Sequence, residues 1–125
     1  QLWDHRVSGN LVPQSPLAVD LDADGRDEIL ITESNPAIMR GERSKSLFQV
    51  VHVDEGRTDT VATADGANFG TGWVGDADGD GVLEWFVPLV KRGGYGSLLR
   101  INLSASAPDR IAWGGYLGTR HDGQY

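Results

Sequence analysis

The sequence predicts an all-β chain built from two tandem repeats of about four strands each. Three observations carry this. The apolar runs are short, rich in β-branched and aromatic residues, and bounded by turn residues, as strands are. No segment sustains an apolar stripe at helical spacing; even Ala37 to Ser46, which contains helix formers, lacks one. An acidic nine-residue pattern occurs twice, at Asp20 and at Asp76, and the flanking apolar runs repeat with it. Glycine, 17 of 125 residues, is about twice its ordinary usage, which suits a chain with many tight turns.

The elements follow in order. Leu2-Trp3-Asp4-His5-Arg6-Val7 reads as the last strand of a repeat whose beginning is missing. Repeat one spans about residues 8–63 and repeat two about 64–115. Pro16-Leu17-Ala18-Val19 and Gly72-Trp73-Val74-Gly75 are strands that lead into the acidic windows. Ile29-Leu30-Ile31-Thr32 and Trp85-Phe86-Val87-Pro88 are strands that leave them. Ser46 to Val53 alternates like a half-buried strand, and Ser97 to Leu103 takes the corresponding place. Asp59-Thr60-Val61-Ala62 and Asp109-Arg110-Ile111-Ala112 read as acid-led edge strands. The first repeat is longer, and its extra length is expected in the polar, turn-rich loop from Glu33 through Ser44. A third acidic window falls due near position 126, so the chain reads as a piece of a longer array or as a subunit that pairs with another chain.

The net charge is −7, and it is not evenly spread. Nine of the 18 acids lie in the two windows: Asp20, Asp22, Asp24, Asp27, Glu28, Asp76, Asp78, Asp80 and Glu84. The remaining nine acids nearly balance the 11 bases. Acidity this local points to cation binding rather than to a generally repulsive surface. The bases Arg40, Arg43, Lys45, Lys91, Arg92 and Arg120 are scattered through loops, which argues against nucleic acid. No apolar run is long enough to span a membrane, and the N-terminus lacks the order of a signal peptide. Cysteine is absent, so no disulfide staples the chain.

Both windows read Asp-x-Asp-x-Asp-Gly-x-x-Glu. Carboxylates at alternate positions can fold back around one hard cation, and the glycine permits the sharp turn this needs. Calcium takes six to eight oxygen ligands at about 2.3–2.6 Å with tolerant geometry. An EF-hand would need a bidentate Glu at the twelfth position and flanking helices. Here that position is Ile31 in one copy and Val87 in the other, both within apparent strands. A dockerin-like loop fails for the same reason, and thrombospondin-type repeats need cysteines. The bland alternative is an acidic turn cluster without metal, whose unpaired carboxylates would repel one another.

The acidic window between two strands resembles the FG-GAP repeat, also called the integrin-alpha or VCBS-type repeat. Phe69-Gly70 matches the Phe-Gly pair of that family, whereas the first copy has Pro13-Gln14 there. The resemblance covers both halves of the chain. It implies about two four-stranded blades of a β-propeller, each with a calcium loop between its first two strands. It also implies a ligand set: Asp20, Asp22, Asp24, the carbonyl of Arg26 and Glu28 for one calcium, and Asp76, Asp78, Asp80, the carbonyl of Val82 and Glu84 for the other. Glu28 and Glu84 stand where many members carry Asp, so each is expected to ligate directly or to hold a ligand water.

No other motif carries chemistry. His5, His52 and His121 lack partners at metal or triad spacing, and Gly93-Gly94-Tyr95-Gly96 is a turn before a strand. Trp73, Trp85, Phe86 and Trp113 are expected to pack between blades. A sharper reading makes Trp113, Tyr116 and Tyr125, near His121, a sugar-stacking surface. The expected function is therefore a calcium-stabilised, extracellular, cell-surface or periplasmic module for adhesion, glycan binding or assembly with other chains or copies. The alternative is a fragment or subunit of a secreted propeller enzyme such as a polysaccharide lyase.

Overall fold

In a computed structural model, residues 12–13, 15–34 and 44–106 are described. They form nine strands and, among the described residues, no helix: β1 (Val12–Pro13), β2 (Leu17–Val19), β3 (Glu28–Ser34), β4 (Lys45–His52), β5 (Arg57–Asp65), β6 (Ala67–Asn68), β7 (Trp73–Gly75), β8 (Val82–Lys91) and β9 (Tyr95–Ser106). All pairings are antiparallel and fall into two sheets. In the first, β1 and β2 share one edge along β3, and β4 and β5 follow. In the second, β6 and β7 share the edge along β8, and β9 follows. The interrupted edge strand is common to both, as expected for a repeat. The anticipated strands at Leu2–Val7 and Asp109–Ala112 lie outside the described residues.

Registers show why the acidic windows sit where they do. Val19 pairs with Glu28 and Gly75 with Glu84. Each window is thus a turn linking two adjacent antiparallel strands at one end of its sheet. The link from β3 to β4 occupies residues 35–44, whereas 92–94 suffice from β8 to β9. In the short link Gly93 and Gly94 have φ of 89° and 83°, a region that favours glycine. The extra length of the first repeat begins later than the sequence suggested. Glu33 and Ser34 belong to β3 and are almost wholly buried, at 1% and 3% exposure. They read as loop because they are polar. The Ser34 hydroxyl is satisfied in place: it bonds the Ser46 hydroxyl at 2.7 Å and accepts the Asn68 N–H at 2.9 Å. Ser46 in turn donates to the Gly66 carbonyl. A buried hydroxyl with partners costs little, so a serine can sit in a core-side strand.

The core lies between the sheets. Leu17, Val19, Leu30, Phe48 and Val50 of the first sheet pack against Val74, Leu83, Trp85, Val87, Leu89 and Ile101 of the second. Alternation along β8 sends Leu83, Trp85, Val87 and Leu89 inward. Trp85 is the largest buried side chain and meets Phe48 edge-on, with centroids 5.6 Å apart. Gly72 lets β7 approach: a Cβ there would lie 2.7 Å from the Phe86 carbonyl oxygen. Trp73 lies outside the core between these two sheets. It stays 40% exposed and leans on Phe86 on the outer face of the second sheet.

Candidate metal centres

The two acidic turns are the same object built twice. Five hydrogen bonds recur at equivalent positions. The Leu21 N–H donates to Glu28 Oε2 at 2.7 Å, and the Ala77 N–H to Glu84 Oε2 at 2.8 Å. The N–H of Asp24 lies 3.2 Å from both Asp20 Oδ1 and Asp22 Oδ1; that of Asp80 lies 3.1 and 3.2 Å from Asp76 Oδ1 and Asp78 Oδ1. The N–H groups of Gly25 and Gly81 donate to the other oxygen of Asp20 and Asp76, each at 2.9 Å. Those of Arg26 and Val82 donate to Asp24 and Asp80, each at 2.8 Å. The first Asp of each window is therefore a hub, and the Glu is a latch that reaches back across the turn to its second residue.

The fourth position differs in a way that matters to the backbone. Gly79 turns with φ 76°, and its counterpart is Ala23, at φ 62°. Alanine is strained in the left-handed region, where glycine is at ease. Ala23→Gly is expected to stabilise the chain by about 0.5–1 kcal/mol, read as a rise in the urea midpoint. An unchanged or lower midpoint would contradict the strain.

The carboxylates converge. One oxygen each of Asp76, Asp78, Asp80 and Glu84 lies within 4.8 Å of the others, and the same holds for Asp20, Asp22 and Asp24. Ligands about 2.4 Å from a common centre can be at most about 4.8 Å apart, so each set meets the spacing that one hard cation requires and could hold it. All donors are oxygens, which suits calcium or magnesium and not a soft metal. The Asp residues are half-buried or exposed, whereas Glu28 and Glu84 are 6% and 0% exposed. Glu28 stands outside the converging set of the first turn. Burial pushes its carboxyl above the usual range, with the Leu21 N–H and His52 opposing this. His52 Nδ1 is 3.8 Å from Glu28, and Nε2 is 3.3 Å from Asp59. Asp27, between the ligand positions, is half-buried.

Two basic residues behave at the sites in ways the sequence did not disclose. The Arg26 side chain turns outward to Asp54, 2.7 Å away. Arg100 crosses from β9 onto the second turn, with Nη2 2.8 Å from Asp78 and 2.9 Å from Glu84. It holds the Asp78 carboxyl below the usual range. Only the pairing of Phe86 with Arg100 brings it there. Trp113, Tyr116 and His121, proposed for sugar stacking, lie outside the described residues, as do His5, Tyr125, Arg40, Arg43 and Arg120. Among the described residues no helix is long and apolar enough to cross a membrane. No protein-family model, no curated protein and no solved structure matches this chain.

Proposed function

We propose that both acidic turns are structural calcium sites and that the two sheets are successive blades of an extracellular β-propeller, used for adhesion, glycan binding or assembly. The observation that carries the calcium half is the recurrence of one hydrogen-bonding frame in both turns, each gathering carboxylate oxygens within the reach of one ion. The ion would draw the Asp side chains together and cancel their mutual repulsion. No open position for a substrate is needed, so its role would be to stiffen the turn. Sites of this kind in extracellular modules bind at about 10⁻⁴–10⁻³ M, which would suit a protein that works where calcium is millimolar.

The outer face of the second sheet supports assembly. Leu30 occupies in β3 the place of Phe86 in β8, and Leu30 is fully buried against the second sheet. The equivalent face of the second sheet carries Phe69, Trp73 and Leu98 in the open, 52%, 40% and 66% exposed. Such a surface suits a further sheet from another chain or copy.

Calorimetric titration tests the proposal. Calcium should bind at two sites and outcompete magnesium. Asp22→Ala should remove one site and Asp78→Ala the other. No heat of calcium binding in the assembled protein would overturn the calcium half. Sedimentation of the same sample as a stable monomer would overturn the assembly half.

A further inference from the structure

The two turns differ in one respect that bears on how each is held. The second has a cation of its own. Arg100 pairs with Phe86 across β8 and β9, and Glu84 lies two residues before Phe86 on the same outer face. Diagonal neighbours on a sheet face are within reach of a long side chain. The guanidinium thus spans from the buried Glu84 to the exposed Asp78, which sits at the outer rim of the turn. In the first sheet the position equivalent to Arg100 is Val50, which pairs with Leu30 and is buried in the core. Arg26, the nearest guanidinium in sequence, is committed to Asp54. Among the described residues, no ion pair reaches Asp20, Asp22 or Asp24.

We infer that Arg100 is the built-in counter-cation of the second acidic turn: it reinforces, without metal, the hydrogen-bonded frame that both turns share and competes with any entering cation for Asp78 and Glu84, whereas the first turn has no such group among the described residues and rests on that frame alone. The competition rests on the calcium reading above; the holding does not. Three aspartates, Asp76 half-buried and Asp78 and Asp80 exposed, repel one another and the buried Glu84, and a guanidinium with two charge-assisted bonds offsets part of that. A metal that ligates both Asp78 and Glu84 must first release those bonds. Its apparent affinity then falls by the fraction of turns in which Arg100 is docked.

The test is amide exchange followed by NMR on the full chain, first in chelator. The Gly25 and Gly81 amides report one turn each, since both donate to the hub aspartate. Gly81 should exchange several-fold more slowly than Gly25. Arg100→Gln should bring Gly81 close to the Gly25 rate and leave Gly25 unchanged. Arg100→Lys, which keeps the charge and loses the fork, should fall between. Calcium is then titrated against the same two signals. Arg100→Gln should tighten binding at the second turn by up to about 5-fold, the range set by an exposed ion pair, with no change at the first. Unchanged exchange of Gly81 in Arg100→Gln, or an equal rise at both glycines, would overturn the inference. If calcium moves neither signal, the site reading and the competition fall together, and the chelator experiment alone decides whether Arg100 holds the turn.

Discussion

Trp85→Ala is expected to cost about 3–5 kcal/mol. That is a large part of the stability of a small domain, typically about 5–15 kcal/mol. Trp85 is the largest side chain in the core and the point where the sheets meet, edge-on against Phe48. Its removal leaves a void walled by strands from both sheets, and hydrogen-bonded strands cannot collapse into it. Part of the loss is offset, because the Trp85 Nε1 has no hydrogen-bond partner and its burial is itself costly. Trp73→Ala is the control: this ring is 40% exposed and should cost about 1 kcal/mol or less. Urea midpoints by circular dichroism settle the matter. Equal losses for the two tryptophans would mean that the sheets are not joined through Trp85.

Glu84→Ala is expected to cost about 2–3 kcal/mol in chelator, where no metal contributes. Glu84 is fully buried, and its two oxygens do different work. Oε2 accepts the Ala77 N–H and pins the turn to the start of β8; Oε1 accepts from Arg100. Without it, the Ala77 donor loses its acceptor, a small void opens beneath the turn, and Arg100 keeps only Asp78. Glu28→Ala removes the matching latch on Leu21 but should cost less. Its carboxyl carries a desolvation penalty that raises its pKa, and its other oxygen faces His52 at a distance beyond a hydrogen bond. Denaturant unfolding of both variants gives the ranking. A loss below about 0.5 kcal/mol for Glu84→Ala would leave the Glu with no latching role, and any importance it kept would be as a metal ligand.

The local plan of the chain was legible because its signals are local. β-branched runs, turn residues and a duplicated acidic pattern each lie within a few residues of one another. Strand formation at Leu17–Val19, around Ile29–Thr32 and around Trp85–Pro88 follows from them directly. So does the convergence of Asp20, Asp22 and Asp24, since alternate side chains around a tight turn have no other way to face. The ends of β3 were not legible. Glu33 and Ser34 look like loop until Ser46 and Asn68, 12 and 34 residues away, supply the partners that make burial tolerable.

The sequence by itself determined the all-β class, the duplicated acidic pattern and the convergence of the three Asp side chains in each turn, because period-2 patterning and turn chemistry act over a few bonds. Tertiary structure alone decided three things. It chose which face of each strand is inward, so that Trp85 is core and Trp73 is not. It turned Glu28 and Glu84 into buried latches under their turns. It brought Arg100 onto the second acidic turn, while among the described residues the first has no such neighbour. Each of these depends on strand register and sheet stacking, which join residues far apart in the chain through the burial of apolar area, and no short stretch of sequence encodes that on its own.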